Sequence, residues 1–388
     1  MVRIDPYKHK EKYFKWKVKT DSQIPHISPQ NAHVLKKYLS DMENGFNVAS
    51  STKRGARSFV RLNTLRTRIV FLMKHLENKY DMKNILEVTE SQICDFFAEM
   101  RSGKVTRQDG SLYQSTKDFV RDFKAFWHWH QKISRKQDIE IKDITTDLDT
   151  SGEKPKWVYL DENQVRALAE SAKPVYRTMI FFLFDTGIRA PTELLNIKIS
   201  DFHNNFKELQ IRDEISKTFG RRIKLMICSE IVRKYVSDNK LTESDFLFKL
   251  KPYAINRYLR NSSKRLFGDK ISPAGQNYSQ LTMYDLRHCS CCYWLPRYKS
   301  ESALKYRFGW KKSDKIHYYS ELLGMKDTIS EDDMLVDVTK TEIEKRLTRS
   351  EKEKEILQDE IKDLRLQVAR IGQLTNQLYK QMVVETIV

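Results

Sequence analysis

The stretch FDTGIRAPTELLNIKISDF, residues 184–202, sets an arginine just beyond the end of an apolar segment. The residues leading into it, VYRTMIFFLFDTG (175–187), carry too little charge to face water and predict a buried helix. Gly187 ends that helix, because glycine enters the left-handed conformation that closes a helix at little cost. Arg189 stands just past the stop, ahead of Glu193 and Leu194. An arginine in that place is either a salt-bridged structural residue or a cation kept for function. Its surroundings in the sequence decide between the two.

Downstream, KELQIRD (207–213) and RRIKLMIC (221–228) read as short strands, with EISKTFG (214–220) as the turn between them. That turn carries Lys217, with Lys224 nearby on the strand. SEIVRKYVSDN (229–239), PYAINRYLRNSSKRLFG (252–268) and YDLRHCSCCYWL (284–295) follow as helices, the last bearing Tyr284, Arg287 and His288. ALKYRFGWKKSDKIHYYSELLG (303–324) adds Trp310, His317, Tyr318 and Tyr319. Upstream, LDENQVRALAESA (160–172) is a helix capped by Asp161. Residues 157–330 therefore predict a mixed α+β domain, with helices around a small antiparallel sheet.

The rest of the chain reads as other units. Its 388 residues exceed what one typical core holds. Residues 28–135 predict an all-α domain. SPQNAHVLKKYLSDMENG starts on a capping residue and stops at Gly45, and TESQICDFFAEMRSG runs from a capping Thr to a Gly. RSFVRLNTLRTRIVFLMKHLENKY spaces Phe59, Leu62, Leu65, Ile69, Leu72 and Leu76 helically, and Arg57, Arg61, Arg66, Arg68 and Lys74 fall at its other positions. Residues 1–27 form a basic, aromatic-studded arm that either lies along phosphates or docks loosely. Residues 136–156 combine Ser, Gly and Pro and predict a linker. Across 335–383, Ile343, Ser350, Leu357, Leu364, Ile371 and Leu378 recur every seven residues, with Leu347, Lys354, Ile361, Val368, Thr375 and Met382 interleaved. That is a coiled-coil pattern, expected to pair between protomers.

A formal net charge of +18 favours a densely anionic partner, and nucleic acid is the first candidate. No apolar run approaches a membrane span, so no membrane partner is expected. The basic N-terminus lacks the apolar core of a signal peptide. Five cysteines, an odd number, do not suggest a disulfide framework, and a reducing, cytoplasmic setting is expected. Cys289, Cys291 and Cys292 with His288 supply too few convergent ligands for a structural metal site, since successive helical residues diverge by about 100°. They are expected to pack as small apolar residues.

Taken jointly, FDTGIRAPTELLNIKISDF, EISKTFGRRIKLMI and LTMYDLRH with ALKYRFGWKKSDKIHYYSELLG resemble the tyrosine recombinase (phage-type integrase) family. The first resembles its arginine box, the second its strand–turn–strand with an active-site lysine, and the third its H-x-x-R-H box followed by a G-[HW] pair and a tyrosine. That tyrosine lies nine residues after Trp310, which selects Tyr319 over Tyr318. The helical region resembles the family's core-binding domain, which clamps DNA opposite the catalytic domain. The resemblance implies a site of Arg189, Lys217, Tyr284, Arg287, Trp310 and Tyr319. Arginines hold the phosphate oxygens, a lysine protonates the 5′-oxygen, and a tyrosine forms a 3′-phosphotyrosyl link without metal or other cofactor. It further implies double-stranded DNA attachment sites, a tetramer on DNA, and an integrase of a virus or mobile element, with an archaeal source in view, acting on DNA in the host cytoplasm. The alternatives are a type IB topoisomerase-like enzyme and a non-catalytic DNA-binding assembly protein of the same fold. Two departures stand out. Tyr284 occupies the place of the family's histidine. Glu193 lies four residues after Arg189 rather than three, so it is not assigned as a partner of Arg189.

Overall fold

The computed structural model describes residues 4–48 and 55–323 except 108, 114, 153, 154 and 299, together with positions 350, 354, 357, 358, 361, 364 and 368. The chain divides into two compact units. One comprises residues 1–294 and 300–313, and the other residues 295–299 and 314 onward.

The first unit begins with a helical core. Its helices are α1 (His9–Lys19), α2 (Pro29–Asn44), α3 (Phe59–Tyr80), α4 (Glu90–Ser102) and α5 (Thr116–Arg135). Their ends follow the sequence. The Ser28 hydroxyl accepts from the Asn31 amide, Thr89 and Gln92 close a capping box, and Gly45 and Gly103 end α2 and α4 in the left-handed conformation. The α3 face expected to be apolar is inside: Leu62, Leu65, Ile69, Leu72 and Leu76 are buried. Aromatic residues of α5 fill the centre, where the Tyr38 ring meets Phe126 edge-on at 5.1 Å.

Two segments differ from the sequence expectation. The stretch read as an arm contains α1, whose Tyr13 is buried in this helical core. The aromatic residues in KYFKW supply the apolar contact that holds it there. The stretch read as a linker sends Ile144 and Leu148 into the same core. The basic face of α3 is also partly turned inward. Arg61 and Arg68 pair with the buried Asp122 of α5 at 2.5 and 2.7 Å, and Arg66 lies over the Trp16 ring at 4.9 Å.

From residue 157 the helices are α6 (Glu162–Glu170), α7 (Pro174–Thr186), α8 (Ser229–Asp238), α9 (Pro252–Phe267), α10 (Met283–Trp294) and α11 (Glu301–Phe308). They surround a three-stranded antiparallel sheet, β1 (Phe202–His203), β2 (Glu208–Ile211) and β3 (Arg221–Lys224), in that order. Strand β1 is short enough to escape the alternation test. The register pairs Leu209 with Ile223 and Ile211 with Arg221. Side chains alternate across a strand, so Arg221 shares the buried face with Ile223, while Arg222 and Lys224 point to solvent.

In the second unit, α12 runs Asp314–Leu323. Ser350, Lys354, Leu357, Ile361, Leu364 and Val368 of the heptad seam are helical and exposed. The remaining seam positions lie outside the described residues.

Candidate active site

Helix α7 ends at Gly187, which adopts φ 58°. A methyl group there would come within 2.2 Å of the Phe308 ring, so both conformation and space demand glycine. This tight approach brings α7's end against the end of α11. Arg287, from α10, then donates to two carbonyls at that junction: to Gly187 through Nη1, and to Phe308 through Nη2 at 2.7 Å. Arg189 donates to the next carbonyl, Gly309, through Nη2 at 2.7 Å. The β2–β3 turn reaches the same oxygen, since the Thr218 hydroxyl donates to Gly309 O at 2.9 Å. Two arginines and the lysine-bearing turn thus converge on the Phe308–Gly309 backbone.

Behind them lies a carboxylate that the sequence reading set aside. Glu193 accepts from the Arg189 amide at 2.8 Å and from Arg189 Nη1 at 3.0 Å. Its two oxygens also take Arg221, at 2.8 Å from Nη2 and 3.3 Å from Nη1. The non-assignment of Glu193 is therefore corrected. The Glu193 amide donates to the Arg189 carbonyl at 2.8 Å, so the extra residue closes a hydrogen-bonded turn that brings the Glu193 carboxylate back onto Arg189. The Ala190–Pro191 peptide within this turn is cis. Burial alone would raise the Glu193 carboxyl, but Arg221 and then Arg189 outweigh it and hold the group below the usual carboxylate range.

Arg221 and Arg307 are the functional-region residues the sequence reading missed. Arg221 is fully buried, and its Nε donates to the Arg307 carbonyl at 2.9 Å. Arg307 pairs with buried Asp185 at 2.7 Å. The other Asp185 oxygen accepts three consecutive amides, from Met226, Ile227 and Cys228, at 2.9, 2.7 and 3.0 Å. These two buried ion pairs tie α7, β3 and α11 together beneath the arginines. A signal for Arg221 was present, because it is in phase with Ile223 and Leu225 on a half-buried strand.

The remaining expected residues fall as follows. Arg287 is 4% exposed. Its burial, then the neighbouring Arg189 charge, pushes it down to about 10, so it remains a cation at neutral pH. Trp310 stacks on Phe308 at 5.0 Å, and the Arg287 guanidinium lies 5.4 Å from the Phe308 ring centre and 6.0 Å from that of Trp310. Lys217 is exposed on its turn. Tyr284 is half exposed, and its ring meets His288 edge-on at 4.8 Å, while His288 packs on Trp157 at 4.7 Å. His288 is thus engaged by two aromatic rings. Cys289, Cys291 and Cys292 are buried, and the Cys289 sulfur accepts from the Leu160 amide at 3.2 Å. Burial pushes the Cys289 and Cys291 thiols well up, out of the reactive range. In the second unit Tyr319 is buried and Tyr318 half-buried, their rings 5.2 Å apart.

Solved structures share this architecture. One is the integrase of transposon Tn1549 in complex with transposon right end DNA, with 16% identity, 79% of this chain and 97% of that chain covered, and a TM-score of 0.52. Another is a lambda integrase dimer bound to a COC′ core site, with 15% identity, 82% and 83% covered, and a TM-score of 0.55. The chain has the tyrosine recombinase fold. No protein-family model matches the sequence, and no curated protein matches it. At such low identity the tyrosine recombinase fold is carried by helix and strand placement rather than by a shared string of residues. Among the described residues, no helix is long and apolar enough to cross a membrane.

Proposed function

We propose that this protein is a site-specific DNA recombinase, the integrase of a virus or mobile element. It cuts and rejoins strands through a 3′-phosphotyrosyl intermediate. The observation that carries this reading is the convergence of Arg189, Arg287 and the Lys217 turn on the Phe308–Gly309 backbone. A guanidinium has five N–H donors, and the partners described above leave donors free on both Arg189 and Arg287. Those donors suit the non-bridging oxygens of a scissile phosphate, where negative charge grows as the nucleophile attacks. Glu193 fixes the direction of Arg189, and Arg221 fixes Glu193.

In this reading the Tyr319 oxygen forms a bond to phosphorus as the bond from phosphorus to the 5′-oxygen breaks. The 5′-oxygen takes a proton from Lys217, whose exposed side chain extends from a turn anchored by Thr218. A free tyrosine is mostly neutral, with a pKa near 10, and the cationic surroundings of the phosphate favour its phenolate. The phosphotyrosyl link conserves the energy of the broken bond, so a second strand's 5′-hydroxyl reverses the step without ATP. Tyr284 brings one further hydroxyl donor for phosphate, and the Trp310 ring packs on Phe308 beside the arginines. Excess positive charge and the helical domain give a grip on double-stranded attachment sites, and four protomers assemble on two such sites.

The test is a DNA half-site carrying a nick just past the scissile phosphate, which traps cleaved product by loss of the short fragment. Wild-type protein should form a covalent adduct on its own attachment DNA. Arg189→Ala and Arg287→Ala should each lose it. Absence of any adduct with wild type on that DNA would remove the catalytic reading.

A further inference from the structure

Six described positions of the C-terminal segment, Ser350, Lys354, Leu357, Ile361, Leu364 and Val368, are all helical and exposed. Their spacing alternates between three and four residues, so they form one stripe along the helix. The apolar members Leu357, Ile361, Leu364 and Val368 are exposed by 56, 49, 59 and 67%. A continuous open apolar row of this kind marks an interaction surface. We propose that this stripe pairs with the same stripe of a second copy, in a parallel, in-register, two-stranded coiled coil that forms without DNA. Three features select that occupant.

The first is residue shape. Leu357 and Leu364 fill one seam position, while β-branched Ile361 and Val368 fill the other, a combination that favours two parallel strands. The second is charge complementarity read from the repeat. Arg346 and Glu351, and likewise Glu360 and Arg365, stand at the flanking positions that meet across a parallel in-register pair, and each meeting joins opposite charges. Glu353 meets Gln358 there, so no like charges face one another at those sites. The third is Lys354 on the seam itself. A single polar residue at that position specifies register and strand number at some cost in stability. Beside it in the repeat stands the acidic Glu353, which offsets the lysine charge across the pair.

This pairing is independent of strand-cleavage chemistry, so its failure leaves the recombinase reading intact. The experiment is the mass of the full chain in solution, without DNA, by light scattering at micromolar concentration. It is run on wild type, on Leu357→Lys/Leu364→Lys, and on Leu364→Cys and Asp359→Cys under mild oxidation. Wild type should have twice the chain mass and the double lysine variant the single mass, with the near-ultraviolet circular dichroism of both alike. Leu364→Cys should gain a disulfide-linked dimer beyond the wild-type background, because identical seam residues meet in register. Asp359→Cys, on the far side of the repeat, should not. A monomeric or trimeric wild type overturns the proposal. So does a dimer that survives the lysine substitutions, or one that fails to cross-link at position 364.

Discussion

Replacing Glu193 by alanine separates the structural from the chemical work of the buried network. The substitution strands the Arg221 guanidinium, whose side chain is completely buried, with only the Arg307 carbonyl and the Ser216 hydroxyl as partners. Breaking a buried pair by removing one member costs about 3–5 kcal/mol, because the surviving charge is left uncompensated. For a domain of this size that lowers the melting temperature by about 6–20 °C. Adding Arg221→Met removes the stranded charge and leaves instead the Arg307 carbonyl without that donor, a loss of about 1–3 kcal/mol. The double variant should therefore melt above the single one. Neither should form adduct normally, because Arg189 has lost the carboxylate that orients it; a drop of about 10²-fold or more is expected. Differential scanning calorimetry and the nicked half-site assay, run on both variants, measure the two effects. If the double variant melts no higher than the single one, or if Glu193→Ala melts like wild type, the buried-charge account fails.

Three further outcomes follow from the same geometry. Glu193 has a folded pKa below its unfolded value of about 4.3, so its stabilising contribution is complete above that value and is lost as pH falls through the folded pKa; Glu193→Gln should flatten the acid limb of the stability–pH curve, and an unchanged limb would contradict the assignment. Lys217→Ala should slow cleavage by about 10²–10⁴-fold on ordinary DNA, yet cleave nearly normally when sulfur replaces the bridging 5′-oxygen, since a thiolate leaves without a proton; equal defects on both substrates would exclude Lys217 as the acid. Gly187→Ala should lower melting temperature and adduct yield together, because its methyl group meets the Phe308 ring at 2.2 Å and its φ is 58°; wild-type behaviour in both assays would show that the α7–α11 junction is not tight.

How far the sequence reached depended on whether a feature was local. Helix caps at Ser28, Thr89 and Asp161, and the stop at Gly187, were legible because a cap is set by a few adjacent residues. Strands β2 and β3 were legible by alternation, whereas the two residues of β1 were too short to alternate. The docking of α1 through Tyr13 was not readable, since a basic helix with aromatic residues suits solvent, phosphate or a core equally well. At the site, Arg189 and Arg287, both singled out in the sequence, donate to the adjacent carbonyls of Gly309 and Phe308. Their anchoring by Glu193, Arg221, Asp185 and Arg307 was hidden, because those contacts join residues as far apart as 185 and 307. Only the phase of Arg221 with Ile223 hinted at it. Arg61 and Arg68 carry the opposite lesson: basic residues on an amphipathic helix are not all available to DNA, since Asp122 claims these two.

The central claim is that one tyrosine takes up the DNA strand, and peptide mapping of the trapped adduct tests it most directly. After nuclease and protease digestion, mass spectrometry should find the residual nucleotide on Tyr319, with the adduct absent in Tyr319→Phe and retained in Tyr318→Phe. A nucleotide on Tyr318, on Tyr284 or on any other residue would contradict the account.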